Sequence, residues 1–167
     1  MSLAASGLNI SSSVTITLGT TPTAYAINDV MNNGTNTTPL AFTLANANNL
    51  RGWCVGGVCV ASTSPATLPN IDLLLFSSTF TIAADNAAFA PTFAQAQTYL
   101  GKIRFSTWVD RGATMAESDG SIEQSFILIP ATDTRIIYGV PVMQNAYTPG
   151  SSEQFQYTVF AEQYVNN

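Results

Sequence analysis

Apolar and polar residues alternate with a period of two along much of this chain, the spacing that sets one face of a strand against a core. In "SVTITL", Val14, Ile16 and Leu18 share one side. Near the C-terminus, Phe155, Tyr157, Val159 and Ala161 alternate with Gln156, Thr158, Phe160 and Glu162. "IDLLLF" (71–76) is instead a nearly continuous apolar run, the pattern of a strand buried on both faces. Further strand-like runs cover 23–31, "LAFTLA" (40–45), "GWCVGGVCVAST" (52–63), "KIRFSTWV" (102–109), "EQSFILIP" (123–130) and "RIIYGVPVM" (135–143). Turn residues separate them at 19–22, 32–39, 46–49, 62–69 and 131–134. About nine strands at this spacing predict an all-β fold. The architecture expected is a jelly-roll-like β-sandwich. One domain spans 13–167, and residues 1–12 read as a flexible N-terminal arm.

The connection after "IDLLLF" breaks the pattern. Asp85-Asn86 is a turn pair, and Pro91 cannot donate to a ladder. Thr92 is placed to cap a helix, with Gln95 at the reciprocal capping-box position. Phe93, Ala96 and Leu100 then fall on one helical face, and Gly101 supplies a stop. The 85–100 connection is therefore expected to hold one short helix of about two turns. Phe89, Phe93 and Leu100 are expected to pin it to the sandwich, leaving its polar ends outside. It forms either a protrusion or a cover over an open end of the core.

Composition narrows the function. Charged residues are only 9% of the 167, against a usual ~25%. Short polar side chains must cover much of the surface; they lose little entropy on ordering and carry few charges to desolvate. That surface suits contact within an assembly. The net charge is −5, and Lys102, Arg51, Arg104, Arg111 and Arg135 are scattered, so neither direct nucleic-acid binding nor a membrane partner is expected. No apolar run approaches the ~20 residues that span a bilayer. The N-terminus has no basic start followed by an apolar segment, so production in a cytosol is expected.

Candidate chemistry is thin. The chain has no histidine, which removes Ser-His-Asp, Cys-His and His-containing metal systems. Cys54 and Cys59 lie in "WCVGGVC". A straight strand sets them on opposite faces, whereas a Gly56-Gly57 hairpin would let them bridge. The straight strand is preferred because Val55, Val58 and Val60 extend the run, and the glycines then mark a bulge or close backbone approach. Arg51 offers Cys54 only a weak thiolate partner. Asp72, inside an apolar strand, is expected at an outward or edge position. Glu117-Ser118-Asp119-Gly120 reads as a solvated turn, lacking a calcium loop's ligand spacing. Trp53, Trp108 and Tyr138 are expected to be mostly core, with sugar stacking as the alternative. No catalytic residue, metal ligand or cofactor is assigned, and an enzyme is not expected.

In order, "TPTAYAINDVM", "PLAFTLAN", "IDLLLFSST", "ADNAAFAPTFAQAQTYLGKIRF" and "RIIYGVPVMQNAYTPGSSEQFQYTVFAE" resemble a family of tailed-bacteriophage virion proteins. The likeness runs from about Tyr25 to the C-terminus, with "DNAAF" after "LLLF" its strongest part. It implies a structural head protein of the decoration or cement type on the outer capsid surface, assembled in the host cytoplasm, with another head or tail component as the alternative within the same family. Such a protein stabilises the capsid by bridging major capsid protein subunits, and it is a homo-oligomer, a trimer in preference to a dimer. The connection is then the expected contact element, through Asp85, Asn86, Phe89 and Phe93. The alternative is a receptor- or carbohydrate-binding β-sandwich module.

Overall fold

The alternating segments at the two ends of the chain pair with each other. Strand β1 (Ser6–Thr17) runs antiparallel to β10 (Gln154–Val165) along the whole of its length. The computed structural model describes residues 6–21, 23–45, 51–63, 68–112, 114–123, 125–132 and 134–165. Between the terminal strands lie β2 (Leu40–Thr43), β3 (Gly52–Ala61), β4 (Ile71–Phe76), a helical turn α1 (Phe93–Ala96), β5 (Tyr99–Phe105) and β6 (Trp108–Asp110). There follow β7 (Ala116–Gly120), β8 (Ile127–Leu128) and β9 (Ile136–Met143).

These strands form two antiparallel sheets. One has the order β1-β10-β3-β7-β6, with β8 also beside β3; the other is β2-β9-β4-β5. Setting aside short β6 and β8, each connection except β4–β5 crosses from one sheet to the other. The orders β1-β10-β3-β7 and β2-β9-β4-β5 are those of a jelly roll, the double-sheet solution to pairing eight antiparallel strands. Inward residues of both sheets fill the space between them. Ile16, Phe155, Tyr157 and Cys59 from one sheet meet Phe42, Leu73, Leu75, Ile103 and Phe105 from the other. The Phe105 and Tyr157 rings lie 5.9 Å apart between centroids.

The glycine pair in β3 resets the alternation. Phe160 of β10 pairs with Gly56, but Ala161 pairs with Cys54, which leaves Val55 outside the ladder as a bulge. Gly56 sits at φ 148°, open to glycine at little steric cost. A Cβ on Gly57 would lie 2.7 Å from the Thr158 carbonyl oxygen, so close approach also requires glycine there. The extra residue shifts parity by one. Cys54 and Cys59 therefore both face the core, fully buried and unbridged, where a straight strand would have parted them. Burial pushes the Cys54 thiol up to about 11, against a smaller opposite effect of the Gly56 backbone. Arg51 thus has no thiolate to stabilise.

Several expectations are corrected. Residues 6–12 belong to β1, so the expected arm does not reach residue 12; residues 1–5 lie outside the described residues. So do the turn at 46–49, residues 64–67 of the proline loop and Asp133 of the 131–134 turn. Segment 23–31 is no continuous strand: it makes isolated bridges at Tyr25, Asp29 and Val30, and Asn28 takes φ 74°. Its neighbour β9 presents Pro141, whose carbonyl accepts from Met31 N but which has no N–H to return. Residues 116–120 form β7 rather than a turn, because Ala116 and Ser118 turn inward while Glu117 and Asp119 turn outward against β3. The strand expected over 123–130 contracts to Ile127–Leu128.

The bulge has a chemical readout. In the native protein at mildly alkaline pH, neither thiol reacts with a water-soluble disulfide reagent, and both react after denaturation. Rapid reaction of one thiol in the folded protein would mean that β3 is straight.

Candidate functional site

Strand β4 lies between β9 and β5, and both its faces need cover. Leu73 and Leu75 enter the space between the sheets, while Leu74 and Phe76 point the other way. On that outer side Phe76, Val140 and Val142 are closed over by Val30 and Ile82, with Phe80, Ala83 and Phe89 packed around them. Phe76 meets Phe80 edge-on at 4.9 Å, Tyr99 at 5.6 Å and Phe89 at 6.3 Å. The long connection is therefore a third layer over the outer face of the four-stranded sheet, not a plug at an open end of the core.

Backbone hydrogen bonds lash this layer to segment 28–37. Ile82 N donates to Thr37 O, Asp85 N to Gly34 O, Asn86 N to Val30 O and Phe89 N to Asn28 O, at 2.8–3.1 Å. Side chains add to it. Asp85 Oδ1 accepts from Tyr25 Oη (2.6 Å) and Asn32 N (2.8 Å). Asn86, at φ 58°, donates through its amide nitrogen to Asp29 Oδ2 (3.0 Å) and Ala24 O (3.2 Å). Burial, then the Asp85 hydrogen bond, raises the Tyr25 phenol well above its ordinary value, so it remains a donor. Both acids are thus committed to local bonds, and among the described residues no three His, Cys, Asp or Glu side chains gather as a metal site.

The four residues expected to make contact divide sharply. Asp85 and Asn86 are internal fasteners, and Phe89 packs beneath the layer. All three keep part of their surface exposed, and Phe93 is the most open of the four, with 81% of its surface exposed. The capping box forms as expected: Thr92 N donates to Gln95 Oε1 (2.7 Å) and Gln95 N to Thr92 Oγ1 (3.3 Å). The helix, however, is one turn with no buried residue. Phe93 therefore pins nothing. Leu100 and Gly101 belong to β5; a Cβ on Gly101 would meet the Phe126 ring at 2.5 Å, so its role is close approach rather than a helix stop. Beside α1, Phe80, Ile82, Phe89, Pro91 and Gln95 help line a shallow depression of about 280 Å³.

A second exposed apolar area lies on the opposite side of the molecule, on the outer face of the larger sheet. The bulge turns Val55 outward, beside Phe160 across the strand pair. Trp53 stands between Glu162 on β10 and Ile127 on β8. Trp53, Val55, Ile127 and Phe160 are 41%, 50%, 38% and 37% exposed. The alternation in β10 already placed Phe160 outward, but the outward turn of Val55 needs the bulge. Trp108 is unavailable for stacking, since Nε1 donates to Pro69 O (2.6 Å) and its ring meets Phe155 edge-on. Tyr138 packs against the covered outer face of β4.

Asp72 faces outward from β4, on the side opposite Leu73 and Leu75, but β4 is not an edge strand and the position is not open to solvent. It is 4% exposed within β4 and faces Arg104 across the strand pair. Arg104 Nε and Nη2 grip its two carboxylate oxygens at 2.7 and 2.9 Å, and Lys102 Nζ adds a contact at 3.3 Å. This fork is the geometry in which a guanidinium holds a carboxylate strongly. The two cations make charge tolerable in an otherwise apolar strand, which the sequence run alone conceals. No known protein family matches this chain, and neither does any curated protein.

Burial pushes the Asp72 carboxyl up, but Arg104 and Lys102 outweigh it, and the net value lies below the ordinary 3.8. The ion cluster therefore stabilises fully above that value and is lost as pH falls from there through the folded-state value. Asp72→Asn should cost about 1–3 kcal/mol near neutrality, with the gap from wild type narrowing as pH drops below 3.8. Urea unfolding at several pH values measures this; a gap that widens in acid would contradict the assignment.

Proposed function

We propose that this protein is a structural component of a tailed-bacteriophage head, a decoration or cement protein that binds the outer capsid surface and bridges major capsid protein subunits. The observation that carries the reading is the placement of its exposed apolar side chains. Phe93 projects from the cover over the smaller sheet, while Trp53, Val55, Ile127 and Phe160 lie on the outer face of the larger one. A bridging protein needs contact features on more than one side, each weak alone and made strong by repetition across a symmetric shell. The sparsely charged surface lowers the desolvation cost of such contacts. The order of motifs from Tyr25 onward supplies the viral part of the proposal. On this reading the protein acts as a homo-oligomer at the virion surface and performs no catalysis. A carbohydrate-binding role has one feature in its favour, the exposed Trp53 ring; a glycan that perturbs tryptophan fluorescence of the purified protein would support that role.

The test is cosedimentation of the purified protein with empty capsids of the phage that encodes it, followed by heating. Stoichiometric binding with a raised disruption temperature is expected. Phe93→Ser should weaken binding while leaving the melting temperature of the isolated protein unchanged, because no neighbour loses packing. Absence of binding by the wild type would exclude the cement role.

A further inference from the structure

Strand β1 is an edge strand, and its register shows which backbone groups point off that edge. Leu18 N donates to Glu153 O, continuing the β1–β10 ladder. Thr17 N donates instead to the side chain of Asn33. Backbone direction alternates along a strand, so the even-numbered residues of β1 bond to β10 and the odd-numbered ones face away. The amides and carbonyls of Asn9, Ser11, Ser13 and Thr15 thus point off the sheet. Among the described residues no backbone group pairs with them.

Open edges are normally short, charged, bulged or covered. The other edges here fit that rule. Strands β2 and β6 have 4 and 3 residues. Strand β5 carries Lys102 and Arg104, and Arg104 exchanges two backbone hydrogen bonds with Ser121. By contrast, β1 is 12 residues long and holds neither a charge nor a proline. Among the described residues its edge backbone is capped by Asn33 at Thr17 alone, while β2 reaches the Ser12 side chain through Thr43 N; Ser11 lies at the centre of the remaining described stretch, Ser6–Ile16.

We propose that the β1 edge is an interface for a second copy of this chain, paired antiparallel to its own β1 about a two-fold axis at Ser11. In that register Asn9 stands opposite the partner's Ser13, so small polar side chains meet on the outer face. On the inner side, Leu8 stands opposite the partner's Val14 and Ile10 opposite the partner's Ser12. Leu8 is 37% exposed, and Ile10 and Val14 are only half-buried, so the pairing covers apolar surface that the single chain leaves open. The axis also passes beside a depression of about 370 Å³ lined by Asn9, Ile10, Ser11, Val55, Phe160 and Ala161. A two-fold operation thus sets two such depressions side by side across Ser11. No like charges meet along the edge, which matters for copies that each carry −5. A self-paired edge closes as a dimer and cannot build a three-fold ring, so it selects the dimer over the trimer that the family resemblance favours.

Sedimentation of the full chain tests this. The wild type is expected to be a dimer at micromolar concentration. Ser11→Pro removes only an amide that points off the edge, so the fold and melting temperature should persist while dimerisation weakens by roughly a hundredfold or more. Ser11→Cys should trap a covalent dimer on mild oxidation, since the two Cα atoms sit at disulfide range across the axis; Ser151→Cys, elsewhere on the surface, should not. A wild-type monomer or trimer would overturn the proposal. So would a dimer that Ser11→Pro leaves intact and Ser11→Cys fails to trap. If Ser11→Pro does not fold, the cross-link alone decides. Capsid binding plays no part in these measurements, so they stand or fall separately from the proposed function.

Discussion

The burial of β4 on both faces is the constraint from which most of this structure follows. A jelly roll needs cover only on the inward side of each sheet. Here the smaller sheet is apolar outside as well, at Leu74, Phe76, Val140 and Val142. Left open, that face would be a large exposed apolar patch of the kind that drives association. The 77–91 segment and residues 28–37 close it; their backbone groups bond largely to one another, while Asn28, Asp29 and Met31 also bond to β9. Asp72 shares that outer side, and Arg104 with Lys102 on β5 keeps its charge paired. The long connection thus completes the core from outside, and α1 is the part left over that faces solvent.

Much of this was legible in the sequence because the period-two signal is strong wherever one face is buried. The alternation of β10, the double-sided run of β4 and the capping box at Thr92–Gln95 all translate directly into structure. The misses have specific causes. In β3 the parity of the cysteines depends on one bulged residue, and glycine pairs announce a bulge without giving its register. In β7 small and acidic residues carry the alternation without an apolar signal. Segment 23–31 has strand-like composition, but it lies beside Pro141, so tertiary context overrides its local preference.

The candidate contact residues show the same limit more sharply. Asp85, Asn86, Phe89 and Phe93 look alike as members of one polar-aromatic loop. Only their partners separate them: Tyr25, Asn32 and Asp29 claim the polar pair, Phe76 claims Phe89, and Phe93 is left exposed. Sequence spacing cannot reveal the polar partners, which lie fifty or more positions away. The exposed side chains that remain, on opposite sides of a weakly charged sandwich, fit a protein whose work is holding other surfaces together.

The central claim is that the connection is a bonded structural layer with an exposed tip. Amide hydrogen exchange on the native protein tests it most directly. The amides of Ile82, Asn86, Phe89 and Val30 should exchange slowly, close to those of β9, because opening them uncovers the outer face of β4. Those of Phe93 and Ala94, in the single exposed turn, should exchange far faster. Equally fast exchange across 82–94 would contradict the account, since the segment would then be a mobile loop and the outer face of β4 would lack its cover.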